Sequence, residues 1–276
     1  MAIETTFTGA QGRRIVVHTW LPEGTPRDQV VIAHGYAEHS GRYDAVAQFL
    51  TVRGFAVHAL DHHGHGKSEG ARAVIERFAQ ADADIDTLVD RVRSDSGLAT
   101  VKLIGHSMGG SLALNYALGH QEKLSGLVLS GPAIGGKMAR VTRWLLAVIS
   151  TFAPQRGTIA LDGNAVSRDP AVVAAYIADP LVFRGKVPAR TAHEMFKAIH
   201  SYPARVGSLT VPCLLMHGEA DTLVSAKLAA PVFDGIASPD KTVRLWPGLF
   251  HEIFNEPERA EVLGLTAEWL EARPAL

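Results

Sequence analysis

The sequence predicts an α/β protein with a mostly parallel central sheet, helices on both faces and a helical cap insert. Three observations favour this fold. Short apolar segments alternate with helical patterns, which is typical of strand–helix–strand units in a parallel sheet. The segment at residues 29–33, Gln-Val-Val-Ile-Ala, has the apolar character of a strand buried on both faces. The alternation stops over residues 131–205, where helical patterns occur without a convincing strand.

The predicted strands and helices alternate along the chain outside the insert. Strands are expected at residues 14–21, 29–33, 54–60, 101–104, 124–130, 209–217 and 242–246. Helices are expected at residues 43–50, 75–92, 138–152, 170–177, 189–199, 226–233 and 258–271, with a further helix directly after Gly109. We therefore divide the chain into a first core part at residues 1–131, a helical cap insert at residues 132–205 and a second core part at residues 206–276.

Composition and charge argue against several classes of protein. A net charge of −1 and a pI near 6.9 give no electrostatic basis for binding nucleic acid. Cys213 is the one cysteine, so no internal disulfide forms. The sequence shows neither a signal peptide nor an apolar run long enough to span a membrane. We therefore expect a cytoplasmic protein, with peripheral membrane contact as an additional option.

The segment around Ser107 carries the clearest chemical signal. An apolar strand pattern precedes Gly105-His106-Ser107-Met108-Gly109, and a helical pattern follows at once. A strand that turns into a helix at one residue strains the backbone there, so the neighbouring residues must be small. The two glycines meet that requirement and leave Ser107 above the strand end as a nucleophile. The helix start also directs backbone N–H groups toward whatever Ser107 attacks.

A serine nucleophile needs a histidine to accept its proton and a carboxylate to fix the histidine tautomer. On this type of sheet the acid and then the histidine follow the serine along the chain. Asp221 follows the strand predicted at residues 209–217, and His251 follows the strand predicted at residues 242–246. Both are thus predicted at the sheet edge where parallel sheets form active sites. Glu219, nearer to the strand end, is the alternative acid.

Two backbone N–H groups are predicted to stabilise the oxyanion of the reaction. One belongs to Met108, the residue after the nucleophile. The other comes from the loop after the strand at residues 29–33, where Gly35 lets the backbone approach closely, and we assign it to Tyr36.

The remaining histidines suggest no metal centre. His62, His63 and His65 follow Asp61 on a glycine-rich turn, but three histidines within four residues cannot easily converge on one ion. His106 is expected to pack structurally and to point away from Ser107.

Several segments together carry a family resemblance. They are His34-Gly-Tyr-Ala-Glu-His-Ser-Gly-Arg-Tyr43, Asp61-His-His-Gly-His-Gly-Lys-Ser-Glu-Gly70, Gly105-His-Ser-Met-Gly-Gly110, Ser167-Arg-Asp-Pro170, Tyr176-Ile-Ala-Asp-Pro-Leu-Val182 and Gly248-Leu-Phe-His-Glu-Ile-Phe-Asn-Glu256. The chain resembles the monoacylglycerol lipases of the serine α/β-hydrolase fold, in particular their bacterial, mycobacterial-type members. The likeness covers nearly the whole chain.

The resemblance implies the same triad, Ser107, Asp221 and His251, and cleavage of monoacylglycerol to fatty acid and glycerol through an acyl-enzyme without a cofactor. It further implies an apolar acyl tunnel under the cap and a polar end for glycerol, to which Tyr176, Glu38 and Arg42 contribute. A lysophospholipase or a short-chain carboxylesterase is the alternative of the same fold. A non-catalytic lipid-binding protein is the alternative of a different class.

An apolar helix in the cap favours a lipid substrate independently of the resemblance. Its predicted face consists of Val141, Leu145, Val148, Ile149 and Phe152, widened by Trp144, Leu146 and Ala147, with Arg140 and Arg143 beside it. Such a face either rests on a membrane or micelle surface or packs against the core. Both alternatives stay open at the level of sequence.

Overall fold

The computed structural model describes residues 2–275. The strands are β1 Ile3–Thr8, β2 Arg14–Trp20, β3 Asp28–Ala33, β4 Phe55–Leu60, β5 Val101–His106, β6 Leu124–Ser130, β7 Gly157–Ile159, β8 Val187–Pro188, β9 Cys213–Gly218 and β10 Lys241–Trp246. The α-helices are α1 Asp44–Val52, α2 Phe78–Ser96, α3 Met108–His120, α4 Arg140–Phe152, α5 Pro170–Ala178, α6 Ala189–Arg205, α7 Ala226–Asp234 and α8 Arg259–Glu271.

Within these residues the main sheet has eight strands in the order β1-β2-β4-β3-β5-β6-β9-β10. The strands from β4 to β10 in that order are parallel, and β1 and β2 are antiparallel at one edge. The predicted mostly parallel sheet is thus confirmed. The edge strand β1 is absent from the sequence-based prediction. Most of its side chains are exposed, so it lacks the apolar pattern that marks the inner strands.

Helices cover both faces of the sheet, as predicted. Helices α1 and α8 pack on one face, and α2, α3 and α7 pack on the other. Strands β3, β5 and β9 are buried along their whole length because each has a neighbouring strand on both sides and helices cover both faces of the sheet. Cys213 in β9 is buried among them, and this burial raises the pKa of its thiol to about 12.

The segment predicted to form the cap contains α4, β7, α5, β8 and the start of α6, in the stretch between β6 and β9. It differs from the prediction in containing strands, since β7 and β8 form a short antiparallel pair. Each is too short to give a periodic signal in the sequence. No helix among residues 2–275 has the length and the apolar character needed to cross a bilayer.

The apolar residues of α4 divide between two sides of the helix. Leu146 is buried, and it packs with Ile149 against Val187, Ala189 and Ala192 of the cap. Exposed large side chains cover the opposite side: Val141, Trp144, Leu145, Val148 and Phe152. Leu146 and Ile149, both members of the apolar face predicted from the sequence, therefore lie on the buried side of the helix. Part of that face is buried and part meets solvent.

Helix α6 connects the cap to the core. Near its start, the Thr191 hydroxyl accepts a hydrogen bond from the Ile75 N–H at 2.9 Å and donates one to the Ala73 carbonyl at 2.8 Å. Near its end, the Tyr202 hydroxyl donates to the carbonyl of Ser111 in α3 at 2.7 Å. One helix thus spans from the cap to the helix that follows Ser107.

Candidate active site

Ser107 lies at the junction of β5 and α3 with φ 53° and ψ −118°, a backbone conformation that L-residues rarely adopt. Its N–H donates to the Ser130 carbonyl at 3.0 Å, which ties the turn to β6. A Cβ at Gly105 would lie 2.4 Å from the Gly109 carbonyl oxygen, and a Cβ at Gly109 would lie 2.1 Å from that of Ala33. Both glycines are therefore required for the tight approach around Ser107.

Asp221 and His251 come together from the loops after β9 and β10. The His251 Nδ1–H donates to Asp221 Oδ2 at 2.6 Å. The N–H groups of Leu223 and Val224 donate to Asp221 Oδ1 at 2.8 and 2.9 Å, and these bonds fix the plane of the carboxylate. In the neutral imidazole this tautomer makes Nε2 of His251 the proton acceptor, as a general base requires.

The alternative acid, Glu219, has a different environment. Its side chain is exposed, whereas Asp221 is buried. Burial alone would raise the pKa of Asp221, but hydrogen bonds from His217 and His251 hold it well below its ordinary value. Asp221 is thus the ionised carboxylate that faces the histidine.

Ser107 and His251 both line one cavity of about 420 Å³. Its remaining wall is largely apolar and comes from both cap and core, including Ile159, Val187, Met195, Phe196, Ile199, Leu223 and Leu228. A cavity of this size and lining suits a small apolar ligand with one polar end.

The proposed oxyanion donors flank Ser107. Met108 is the first residue of α3, so its N–H has no acceptor within the helix. A Cβ at Gly35 would lie 3.2 Å from the Cβ of Ser107, so the backbone around Tyr36 passes close to the nucleophile.

Hydrogen bonds to the N–H and the carbonyl of Gly35 hold the backbone directly before the Tyr36 N–H. The His34 Nδ1–H donates to the Gly35 carbonyl at 2.8 Å, and the Gly35 N–H donates to Glu38 Oε1 at 2.6 Å. His34 Nε2 accepts from the His62 N–H at 3.0 Å, which fixes the His34 tautomer. Burial lowers the pKa of His34 well below its ordinary value, so the ring stays neutral in this role.

The three residues predicted to contact the alcohol occupy two different positions. Tyr176 and Glu38 line the cavity. Arg42 lies behind them, and its guanidinium is 4.8 Å from the centre of the Tyr176 ring. Arg42 donates to Glu38 Oε2 at 2.6 Å and makes a two-point ion pair with Glu252 at 2.7 Å for each bond. Its hydrogen bonds are therefore directed at neighbouring carboxylates rather than at the cavity.

Three further residues at this site were not identified from the sequence. His106, expected only to pack away from Ser107, lines the cavity with its ring centre 4.7 Å from that of His251. Its Nδ1–H donates to the Ser130 carbonyl at 3.0 Å, and burial lowers its pKa to about 4. Glu252 lines the cavity directly after His251. His106 directly precedes Ser107 and Glu252 directly follows His251, and this position in the chain was the available signal in the sequence for both residues.

His217 is the third residue. It is fully buried, and its Nε2–H lies 2.8 Å from the Val224 carbonyl oxygen and 3.1 Å from Asp221 Oδ2. The carbonyl can only accept, so the proton is on Nε2 and Asp221 gains a further donor. No local sequence pattern marks this role.

Comparisons with known proteins identify the family of this chain. The family model described as serine aminopeptidase, S33 (Hydrolase_4) matches residues 24–258. The monoacylglycerol lipase of Mycolicibacterium smegmatis is 41% identical over 269 residues, which cover 97% of this chain and 96% of that protein. The monoglyceride lipase of Mus musculus is 32% identical over 274 residues, covering 98% of this chain and 90% of that protein.

Solved structures agree as well. The crystal structure of the Paleococcus ferrophilus monoacylglycerol lipase superimposes with a TM-score of 0.82 at 29% identity, and the match covers 99% of each chain. The fold, the family model and the sequence identity over nearly the full length therefore indicate the same family. The chain belongs to the monoacylglycerol lipases, within the S33-type family of serine hydrolases with the α/β-hydrolase fold.

Proposed function

We propose that this protein hydrolyses monoacylglycerols to a fatty acid and glycerol through an acyl-enzyme formed on Ser107. The single observation that carries the proposal is the Asp221–His251 pair, which opens with Ser107 into one mostly apolar cavity. Similarity to the lipases of Mycolicibacterium smegmatis and Mus musculus supports the choice of substrate.

The mechanism follows from the roles of the side chains. Ser107 Oγ attacks the ester carbonyl while His251 Nε2 takes its proton, and Asp221 stabilises the imidazolium that forms. The N–H groups of Met108 and Tyr36 stabilise the negative oxygen of the tetrahedral intermediate. His251 then protonates the departing glycerol oxygen. It later activates the water that releases the fatty acid.

The experiment that tests this function is a hydrolysis panel. It compares mono-, di- and triacylglycerols, lysophospholipids and short-chain esters at matched acyl lengths. Preference for monoacylglycerols supports the proposal. Preference for a lysophospholipid or a short ester would replace it with the alternatives of the same fold. Labelling of Ser107 by a fluorophosphonate separates an enzyme from a lipid-binding protein, because only an activated serine reacts.

We further propose that the cap meets the surface from which the lipid comes. Trp144 is 65% exposed and Phe152 is 84% exposed, on the same helix as the half-exposed Leu145. Isolated apolar side chains are ordinary on protein surfaces, but several large ones on one side of a helix are typical of an interaction site. The single-chain substrate would then pass from a bilayer or micelle into the cavity below.

A further inference from the structure

We propose that Glu252 makes this active site selective for uncharged head groups, and that it does so by occupying Arg42 and adding negative charge beside the departing alcohol. Lipid esters with a phosphate on the glycerol would thereby be poor substrates. The inference rests on the proposed function, because it assumes that the acyl ester lies at Ser107.

The first step of the argument is the position of the carboxylates. A Cβ at Gly35 would lie 2.8 Å from Glu38 Oε1 and 3.2 Å from the Cβ of Ser107, which brings the Glu38 carboxylate near the nucleophile. Glu252 directly follows His251, and both glutamates line the cavity. Most of the remaining lining is apolar and suits the acyl chain, so we assign the two carboxylates to the alcohol end.

The second step concerns Arg42, the cation closest to both glutamates. Glu252 accepts hydrogen bonds from both terminal guanidinium nitrogens at 2.7 Å, and Glu38 accepts a further hydrogen bond at 2.6 Å. The Tyr176 ring covers one face of the guanidinium. These bonds use three of the five guanidinium N–H groups, and the edge that carries both terminal nitrogens is taken by Glu252 and so is not available for two-point binding of a phosphate.

The third step is the balance of charge. One guanidinium shared between two carboxylates leaves one net negative charge at the alcohol end. Burial alone would raise the pKa of Glu38, but Arg42 beside it holds that pKa below its ordinary value, so Glu38 is ionised at neutral pH. The other charged residues that line the cavity, Asp162 and Arg184, are exposed and of opposite sign.

Glu252 is also built into its loop, which allows a matched control. Its Oε2 accepts from Asn255 Nδ2 at 2.8 Å, and its N–H donates to the Val166 carbonyl of the cap at 2.8 Å. Glu256 lies four residues later, is fully buried and pairs with Arg168 at 2.6 Å. It is not among the residues that line the cavity. Glu256→Gln therefore removes a comparable ion pair without changing the charge at the alcohol end.

The experiment measures head-group preference without depending on turnover. Two non-hydrolysable ethers, 1-O-octylglycerol and 1-O-octylglycerol 3-phosphate, compete with a fluorophosphonate for Ser107 below their micelle concentrations. For each of the wild type, Glu252→Gln, Glu252→Asp and Glu256→Gln, the ratio of the two protection constants is determined. Melting temperatures recorded beside these constants identify any variant that has lost its fold. If Glu252→Gln proves unstable, Glu252→Asp still tests the inference, because it keeps the charge and should keep the wild-type ratio.

We expect the wild type to prefer the uncharged ether. Glu252→Gln should improve relative binding of the phosphate at least about thirty-fold, the factor expected for neutralising one charge about 8 Å from a single negative charge on the ligand at an effective dielectric constant of ~20. Glu252→Asp keeps the charge and should resemble the wild type, and Glu256→Gln should leave the ratio unchanged. An unchanged ratio in Glu252→Gln, a ratio that also rises in Glu256→Gln, or a Glu252→Asp variant that prefers the phosphate would each overturn the inference.

Hydrolysis of 1-octanoylglycerol by the wild type, measured in parallel, tests the proposed function separately. If the wild type labels with the fluorophosphonate but leaves that ester intact, the substrate assignment fails. The protection ratios still decide the role of Glu252 in that case.

Discussion

Nδ1 of His251 lies 2.6 Å from Oδ2 of Asp221, although the two residues are 30 positions apart in the chain. Their loops meet because β9 and β10 are parallel neighbours with aligned carboxyl ends. The contact fixes the imidazole tautomer before any substrate arrives.

Substitutions in the triad should therefore be severe and non-additive. Ser107→Ala, Asp221→Asn and His251→Ala should each lower kcat about 10⁴-fold or more, and the double variants should lose little more than the single ones. Steady-state kinetics on one soluble ester measures this.

Glu219→Gln is the matched control for the acid. Its side chain is exposed, so near-normal turnover is expected. If Glu219→Gln were inactive while Asp221→Asn kept its turnover, the assignment of the acid would be wrong.

His217 should act through Asp221 without touching substrate. His217→Leu removes a donor to a charged acceptor, which is worth about 1.5–3 kcal/mol, and kcat should fall roughly ten- to a hundred-fold at constant KM. His217→Gln keeps an N–H donor and should restore most of kcat. Equal kinetics for the leucine and glutamine variants, at equal melting temperature, would limit His217 to packing.

Asp82 should make the protein less stable as pH rises. Burial raises its pKa to about 7, with Asn115 and Arg205 offsetting part of the effect. Between about pH 4 and pH 7 the folded state then binds more protons than the unfolded chain, so the free energy of unfolding falls across this window. Asp82→Asn should thus be more stable than the wild type at pH 8, by about 1–2 kcal/mol since the carboxylate is only partly buried, and should show no gain near pH 4.

Asp90→Asn in the same helix is the comparison, because Lys123 and Arg93 lower the pKa of Asp90 and its pH dependence has the opposite sign. Thermal melts across pH 4–8 measure both variants. A gain for Asp82→Asn that is as large at pH 4 as at pH 8 would contradict the proton linkage.

The exposed side of α4 can be tested by its effect on presented lipid. Trp144→Ser together with Phe152→Ser should lower activity on micellar long-chain monoacylglycerol at least about ten-fold, since each Å² of apolar area is worth roughly 25 cal/mol. Activity on a monomeric short-chain ester and the melting temperature should change little, because both side chains are exposed.

Leu146→Ser on the buried side is the control and should lower the melting temperature and both activities together. Equal losses on both substrates in the Trp144 and Phe152 variant would reject docking at the lipid surface.

The sequence predicted those features that rest on local patterns. The inner strands are recognisable in the sequence because they are apolar throughout. The turn at Ser107 is recognisable because glycines flank it. The order of serine, acid and base followed from the sheet topology. The exposed edge strand β1 and the short pair β7 and β8 gave no such pattern.

Contacts between distant residues were also beyond sequence reasoning. Arg42 and Glu252 are 210 positions apart, and nothing near either residue indicates the partner. The contact of His217 with Asp221 spans only four positions but depends on the path of the loop after β9. Charge and hydrogen-bond partners of this kind become visible only when the fold brings the segments together.

Helix α6 has a consequence for how such enzymes diversify. Its first turn is hydrogen-bonded to Ala73 and Ile75 of the core, and a residue near its end is hydrogen-bonded to α3, the helix that follows Ser107. The segment before it, from α4 to β8, can therefore vary in shape while α6 keeps these bonds to the core, but Val166 and Arg168 of that segment also bond to Glu252 and Glu256, close to His251. Recombination between relatives at the start of α6 should therefore exchange substrate range, and it should preserve catalytic power where the incoming segment keeps the contacts to Glu252 and Glu256.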